Sequence, residues 1–201
     1  EAARNFNIKR LIYAASSSCY GIASTPTDEQ HYINPLYPYA LSKYQGEQLA
    51  LHWAKLYGMQ INSIRIFNAY GTRVRTTGAY GAVFGVFFKQ KLEGKPFTVV
   101  GDGSQLRDFL YVTDVVKAFM AAAVSNETGQ IYNLGAGNPQ SIASLIELIG
   151  GTSVSIPKRP GEPDCTWANI DKIKRELNWE PEVSFKEGVK KMMEKIDNWK
   201  D

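Results

Sequence analysis

Strand-like apolar runs alternate with helix-period segments along almost the whole chain, and this alternation restricts the fold more than any other feature. The runs Arg10–Ala15, Ile61–Phe67, Phe97–Val100, Asp108–Val112, Gln130–Leu134 and Val154–Ile156 read as strands. Between and after them, Tyr39–Leu56, Val83–Leu92, Asp114–Val124, Ile142–Leu148, Ile170–Leu177 and Phe185–Trp199 carry helical patterns. Strands joined by helical crossovers pair in parallel, so the expected class is α/β with a parallel sheet. The opening Glu1-Ala2-Ala3-Arg4 reads as the tail of a helix leading into the first strand. In the last helix Phe185, Val189, Met192, Ile196 and Trp199 recur at 4-3-4-3 spacing, an apolar stripe expected to face the core. Ser184 and Glu187 fit a capping box at its start.

The first predicted strand runs into a hydroxyl cluster, Ser16-Ser17-Ser18-Cys19-Tyr20-Gly21, and the first long helix opens on Tyr39-Ala40-Leu41-Ser42-Lys43. Positions i and i+4 share one helix face, which puts Lys43 one turn from Tyr39. A free tyrosine titrates near pH ~10. A neighbouring ammonium favours the phenolate and makes the residue a usable base nearer neutrality. With a serine hydroxyl on the adjacent strand end, this is a proton relay for an alcohol being oxidised to a ketone. Taken alone, the same residues also describe a buried tyrosine, a solvated lysine and a polar strand end.

Composition excludes several classes. The 201 residues suffice for one or two compact domains, and 44% of them are hydrophobic, as in ordinary globular proteins. A net charge of +3, from 23 basic and 20 acidic residues, is too small a bias to indicate nucleic acid or a membrane surface. No apolar run approaches the ~20 residues that span a bilayer, and no signal peptide is visible. Cys19 and Cys165 make neither a disulfide framework nor a metal pattern, which favours reduced thiols and a cytoplasmic location, and no metal site is expected.

Longer blocks carry a family resemblance. Leu11-Ile12-Tyr13-Ala14-Ala15-Ser16-Ser17-Ser18, Pro38-Tyr39-Ala40-Leu41-Ser42-Lys43 and Arg65-Ile66-Phe67-Asn68-Ala69-Tyr70-Gly71 are the first three. Val100-Gly101-Asp102-Gly103-Ser104-Gln105-Leu106-Arg107-Asp108-Phe109, Tyr132-Asn133-Leu134-Gly135 and Arg159-Pro160-Gly161-Glu162 follow in order. Together they resemble the extended short-chain dehydrogenase/reductases, specifically the NAD-dependent nucleotide-sugar epimerases and dehydratases. The resemblance implies the C-terminal part of a Rossmann-type parallel sheet plus a smaller mixed α/β substrate-binding region. It assigns 1–68 and 104–133 to the second half of the dinucleotide-binding domain, and 69–103 and 134–201 to the nucleotide-sugar domain.

In this family the first strand is followed by a G-x-x-G-x-x-G turn that places backbone and a helix N-terminus against the pyrophosphate. Nothing before Ser16 matches it, so the chain reads as the C-terminal two-thirds of such a protein, with little NAD affinity expected by itself. An exposed sheet edge, and with it oligomerisation or aggregation, is expected too. Gly135-Ala136-Gly137-Asn138-Pro139-Gln140 mimics the missing fingerprint. Gln140 replaces the third glycine, and no acid follows about 20 residues on. It reads as a structural turn.

By resemblance, Tyr39 is the catalytic base, Lys43 holds the cofactor ribose, and Ser16 bonds the reacting oxygen, with Ser17 the alternative register. Ala14 and Phe67 fall at cofactor positions. Ser17, Ser18, Val83, Thr98 and Val100 fall at substrate-binding positions, with the Phe97–Val100 backbone bordering the uracil. Asn68, Arg107 and Arg159 match positions that contact the diphosphate, where guanidinium forks bind phosphate oxygens bidentately. Glu162 matches the uridine-ribose position. Thr166 falls where a small residue admits N-acetylated sugars, and a one-residue shift would put Cys165 there. The segment Arg73–Tyr80 departs from familiar family forms.

The implied reaction is C4 epimerisation of a UDP-sugar through a transient 4-keto intermediate, with NAD as cofactor. Dehydratases carry an Asp-Glu pair after the strand-end hydroxyl, and decarboxylases a Glu. Ser17-Ser18 stand at those positions here, which disfavours both. The alternatives are a nucleotide-sugar 4,6-dehydratase or reductase, or a non-catalytic UDP-sugar-binding fragment. Family members dimerise through a bundle of two helices per subunit, so a homodimer using the Tyr39 helix is expected.

Overall fold

The computed structural model describes residues 1–74, 83–158 and 161–196. A short helix α1 (Ala2–Asn5) leads into β1 (Leu11–Ser16), a 3-10 turn at Ser17–Tyr20, the long helix α2 (Pro38–Tyr57) and β2 (Ile61–Ile66). Then come β3 (Asn68–Tyr70), α3 (Val83–Leu92), β4 (Phe97–Val100), β5 (Leu106–Arg107), β6 (Phe109–Tyr111) and α4 (Val112–Val124). The remainder is β7 (Ile131–Leu134), β8 (Gln140–Ser141), α5 (Ile142–Ile149), β9 (Ser153–Ile156), α6 (Asp171–Leu177) and α7 (Phe185–Met193).

The central sheet has the order β1-β2-β7, all parallel, with Leu11 opposite Ile61 and Ser63 opposite Ile131. Alternate residues of β2 serve opposite faces, as the pleat requires. Ser63 and Arg65 bond Glu47 of α2, whereas Ile64 packs in a core with Ala118 and Ala122 of α4, Tyr132, Leu134, Ile173 and Trp179. The sheet is therefore covered on both faces, the usual condition of a parallel sheet. α2 approaches β1 closely. A Cβ on Gly46 would lie 2.0 Å from the Tyr13 hydroxyl, so any larger residue there would force Tyr13 or the helix to shift.

A second core is aromatic. Tyr70 stacks on Phe84 with ring centres 4.4 Å apart, Phe87 on Phe97 at 5.0 Å, and Phe109 on Phe185 at 5.2 Å. Val189, Met192 and Ile196 insert their stripe into this core, which is what orders α7. Ser184 Oγ accepts from the Glu187 amide, the expected N-cap. α7 ends at Met193, and Trp199 lies outside the described residues.

Two expected strands differ at both ends. The first, Arg10–Ala15, is shifted by one residue to Leu11–Ser16. Asp108–Val112 is reduced to Phe109–Tyr111, because Val112 already opens α4 and Asp108 turns between β5 and β6 with its side chain fully buried.

Candidate active site

The C-terminal ends of β1 and β2, the start of α2, and the segments around β4, β5 and Gly161–Thr166 surround one cleft of about 690 Å³. The crevice beyond the carboxyl ends of parallel strands is where α/β sheets bind ligands. Ser16, Ser17, Ser18, Tyr39, Phe67, Asn68, Val83, Thr98, Val100, Arg107, Glu162 and Thr166, all singled out from the sequence, line it. Ala14 and Lys43 do not line it but meet just behind it, where the Lys43 ammonium donates to the Ala14 carbonyl at 3.1 Å. Arg159 lies outside the described residues, as do residues 75–80 of the Arg73–Tyr80 segment.

On the first wall, Ser16 ends β1 and caps the following 3-10 turn. Its Oγ accepts from the Ser18 amide at 3.3 Å and from the Ser18 hydroxyl at 2.9 Å. With both incoming bonds supplied by Ser18, the Ser16 hydroxyl keeps its own proton to donate. Tyr39 is about two-fifths exposed at the start of α2, and the Lys43 ammonium stands 6.0 Å from its ring centre. Tyr13, equally far from that ammonium, donates to the Lys43 carbonyl. Burial, then the Glu47 charge, pushes the Tyr13 phenol above its ordinary range, so it stays protonated.

Behind this wall lies a buried ion pair. Arg65 donates to both Glu47 oxygens, at 3.0 and 2.6 Å, with the two side chains 3% and 1% exposed. Arg65 also donates to the Tyr20 hydroxyl at 2.8 Å, which donates to Asn133 Oδ1 at 2.7 Å. Glu47 lies one turn beyond Lys43, so the pair ties down the helix that carries Tyr39 and Lys43. Cys19 sits beside it, its thiol pushed up to about 11 by burial and thus unreactive.

The opposite wall is held differently. Phe97 and Val99 of β4 point into the aromatic core, leaving Thr98 and Val100 half-buried on the cleft side. Thr166 Oγ1 donates to Asn68 Oδ1 at 2.7 Å. Arg107 donates to Glu162 at 2.9 Å and to the Leu106 carbonyl at 2.9 Å, which holds its fork at the cleft floor. Among the described lining residues Glu162 is the only carboxylate. No described group of three or more His, Cys, Asp or Glu residues is arranged to hold a metal.

Sequence reasoning passed over Leu36, Tyr37, Gln105 and Pro163, which also line the cleft. Tyr37 directly precedes the helix-opening Pro38, and Gln105 follows the Gly101–Gly103 turn, where it donates to the Val100 carbonyl at 3.1 Å. Loop residues flanking element ends were the available signal. The mimic turn is explained by its own amides. Ala136 and Gly137 donate to the buried Asp108 carboxylate at 2.7 and 3.1 Å, so the turn cradles an anion of the chain itself.

The family model described as NAD dependent epimerase/dehydratase family matches residues 1–135. The chain is 36% identical over 207 residues to the UDP-glucuronate 4-epimerase of Thermodesulfobacterium geofontis, covering 99% of this chain and 61% of that protein. It is 32% identical over 207 residues to the UDP-glucose 4-epimerase of Mycolicibacterium smegmatis, covering 98% and 66%. It therefore spans about two-thirds or less of the length of these curated relatives. Among solved structures it superposes with a TM-score of 0.91 and 29% identity on the UDP-N-acetylglucosamine 4-epimerase of Methanobrevibacter ruminantium in complex with UDP-N-acetylmuramic acid, covering 98% of this chain and 66% of that one. The UDP-glucuronic acid 4-epimerase of Bacillus cereus in complex with UDP-glucuronic acid and NAD gives 0.85 and 34%, covering 94% and 62%. The chain belongs to the NAD dependent epimerase/dehydratase family, with that family's Rossmann-type α/β fold and NAD as its cofactor.

Proposed function

We propose that this chain carries the proton-relay and UDP-sugar-binding part of a UDP-sugar 4-epimerase. One observation carries the reading: Ser16 and Tyr39 on one wall face Asn68, Arg107, Glu162 and Thr166 on the other across a single cleft. The first set handles a hydroxyl proton, and the second offers a guanidinium and amide for a diphosphate and a carboxylate for ribose hydroxyls. Tyr39 removes the proton of the sugar 4-hydroxyl, and Ser16 donates to the same oxygen. The accessible Ala14 edge, the Lys43 ammonium anchored there, and Phe67 fit a nicotinamide riboside and would hold it beside Tyr39. When bound, NAD supplies the hydride acceptor and donor. Tyr39 returns its proton once the 4-keto sugar has presented its other face.

The cleft supports epimerisation over dehydration. Its one described carboxylate, Glu162, is paired with Arg107, so none lies beside the serines to protonate a departing 6-hydroxyl. Thr166, bonded to Asn68, is small, which supports acceptance of UDP-N-acetylhexosamines beside UDP-hexoses. Leu41, Leu49 and Leu56 are exposed at seven- and eight-residue spacing along α2, which supports a homodimer through this helix. No described helix is long and apolar enough to cross a membrane.

Proton NMR of the protein carrying this chain, supplied with NAD⁺ and UDP-N-acetylglucosamine or UDP-glucose, tests the reading. Growth of a galacto-configured anomeric signal is the expected result. A stable 4-keto-6-deoxy product, or no interaction with either nucleotide sugar, would overturn it.

A further inference from the structure

Asp108 is fully buried and is not among the residues that line the cleft, yet its backbone bonds both Asn68 and Thr166 of the substrate wall. Its Oδ1 accepts from the Ala136 amide at 2.7 Å, and its Oδ2 from the Gly137 and Ala168 amides at 3.1 and 2.8 Å. Its backbone carbonyl accepts from the Asn68 amide at 3.2 Å. Its backbone amide donates to Thr166 Oγ1 at 3.3 Å, and Arg107 is its chain neighbour. A Cβ on Gly135 would lie 2.5 Å from Oδ2, so the turn is shaped around this carboxylate. A second carboxylate is equally buried without touching the cleft: Asp114 Oδ2 accepts from the Glu182 and Val183 amides at 3.0 and 2.8 Å.

We propose that Asp108 is a positioning residue that sets Asn68, Arg107 and Thr166 for the nucleotide sugar, an inference that rests on the UDP-sugar reading of the cleft. One carboxylate has four lone-pair sites and satisfies several amides from two separate segments at once. An asparagine of the same shape turns one oxygen into a donor that meets a backbone N–H, so one segment must move. Because Asn68 and Thr166 are bonded to the Asp108 backbone, that movement reaches the ligand side.

The test is isothermal calorimetry of UDP, and then UDP-N-acetylglucosamine, binding to the protein carrying this chain as wild type, D108N and D114N, with folding checked by circular dichroism. We expect UDP to bind at least tenfold more weakly to folded D108N, with affinity within twofold of wild type in D114N. In the NAD-supplied protein, D108N should raise the KM for the nucleotide sugar and leave kcat within threefold. Folded D108N that binds UDP as wild type does would overturn the inference alone. Wild type that binds no UDP would overturn the UDP-sugar reading and this inference with it. If D108N does not fold, G135A applies the same push from the turn side. Weakened UDP binding there supports the assignment, and unchanged binding overturns it.

Discussion

The two walls of the cleft solve the same problem with different physics. The proposed relay wall, bearing Ser16 and Tyr39 with Lys43 behind it, is fastened by a bidentate charge pair between Glu47 and Arg65. The substrate wall, bearing Asn68, Arg107 and Thr166, is fastened by one carboxylate and a ring of backbone amides. A charge pair joins two elements, here α2 and β2, and its removal leaves an uncompensated buried charge. Amides cost no second charge and gather several loop segments at one point, which suits a wall made of short strands and turns. The difference predicts that the relay wall fails in stability and turnover, whereas the substrate wall fails in affinity.

The largest effect is expected from Y39F. Positioned acid–base catalysis is worth ~10²–10⁴-fold, so kcat should fall by about that factor with the KM for the nucleotide sugar little changed. A kcat within tenfold of wild type in steady-state assays would move the relay away from Tyr39. Next, R65M leaves Glu47 buried without its cation and should cost about 3–5 kcal/mol in urea unfolding. The double variant E47M/R65M should recover most of that loss, because two apolar side chains of similar volume leave no charge behind. A double variant as unstable as R65M would show that the pair acts through Tyr20 and Asn133 instead.

A smaller effect should follow G46A, which drives a methyl against the Tyr13 hydroxyl and separates α2 from β1. Overpacking of this kind costs roughly 1–3 kcal/mol. Thermal melting reads that loss, and kcat should drop more than KM rises, since the displaced helix carries Tyr39.

The smallest effect is a pH dependence on the substrate wall. Desolvation pushes the Asp108 carboxyl above its ordinary range, against the pull of its amide donors. The folded state then keeps a proton that the unfolded chain has released, so the contribution of Asp108 falls as pH rises from ~3.9, the unfolded value, through the higher folded one. The stability margin of wild type over D108N should shrink across that window in urea midpoints taken at stepped pH. A margin that grows instead would mean that the amides outweigh desolvation.

Residue pattern made much of this architecture legible before any coordinates. Most of the six strand-like runs and six helical segments are periodic over enough residues to show their faces, and each corresponds to an element, the largest departure being α7, which ends at Met193 where Trp199 was expected. The three strands that escaped, Asn68–Tyr70, Leu106–Arg107 and Gln140–Ser141, are two or three residues long and carry no period. Ser16, Tyr39, Asn68 and Arg107 stood out because their chemistry sits at element ends, and Lys43 because it follows Tyr39 by one helical turn. Asp108 did not, although it lies inside a recognised block, because a buried acid looks the same in sequence whether it meets solvent, an arginine or three amides.

By itself, then, the sequence determined which segments become helices and strands, the parallel character of the sheet, and the residue types available for a proton relay and a diphosphate. Those follow from local periodicity, spacing along one helix face and side-chain chemistry, all of which are short-range. Only the tertiary structure decided that Thr166 reaches Asn68 across 98 positions, that Arg107 meets Glu162 across 55, and that Glu47 finds Arg65. These partners are chosen by how the chain packs, because burial leaves each polar atom to find whatever donor or acceptor the neighbouring segment brings.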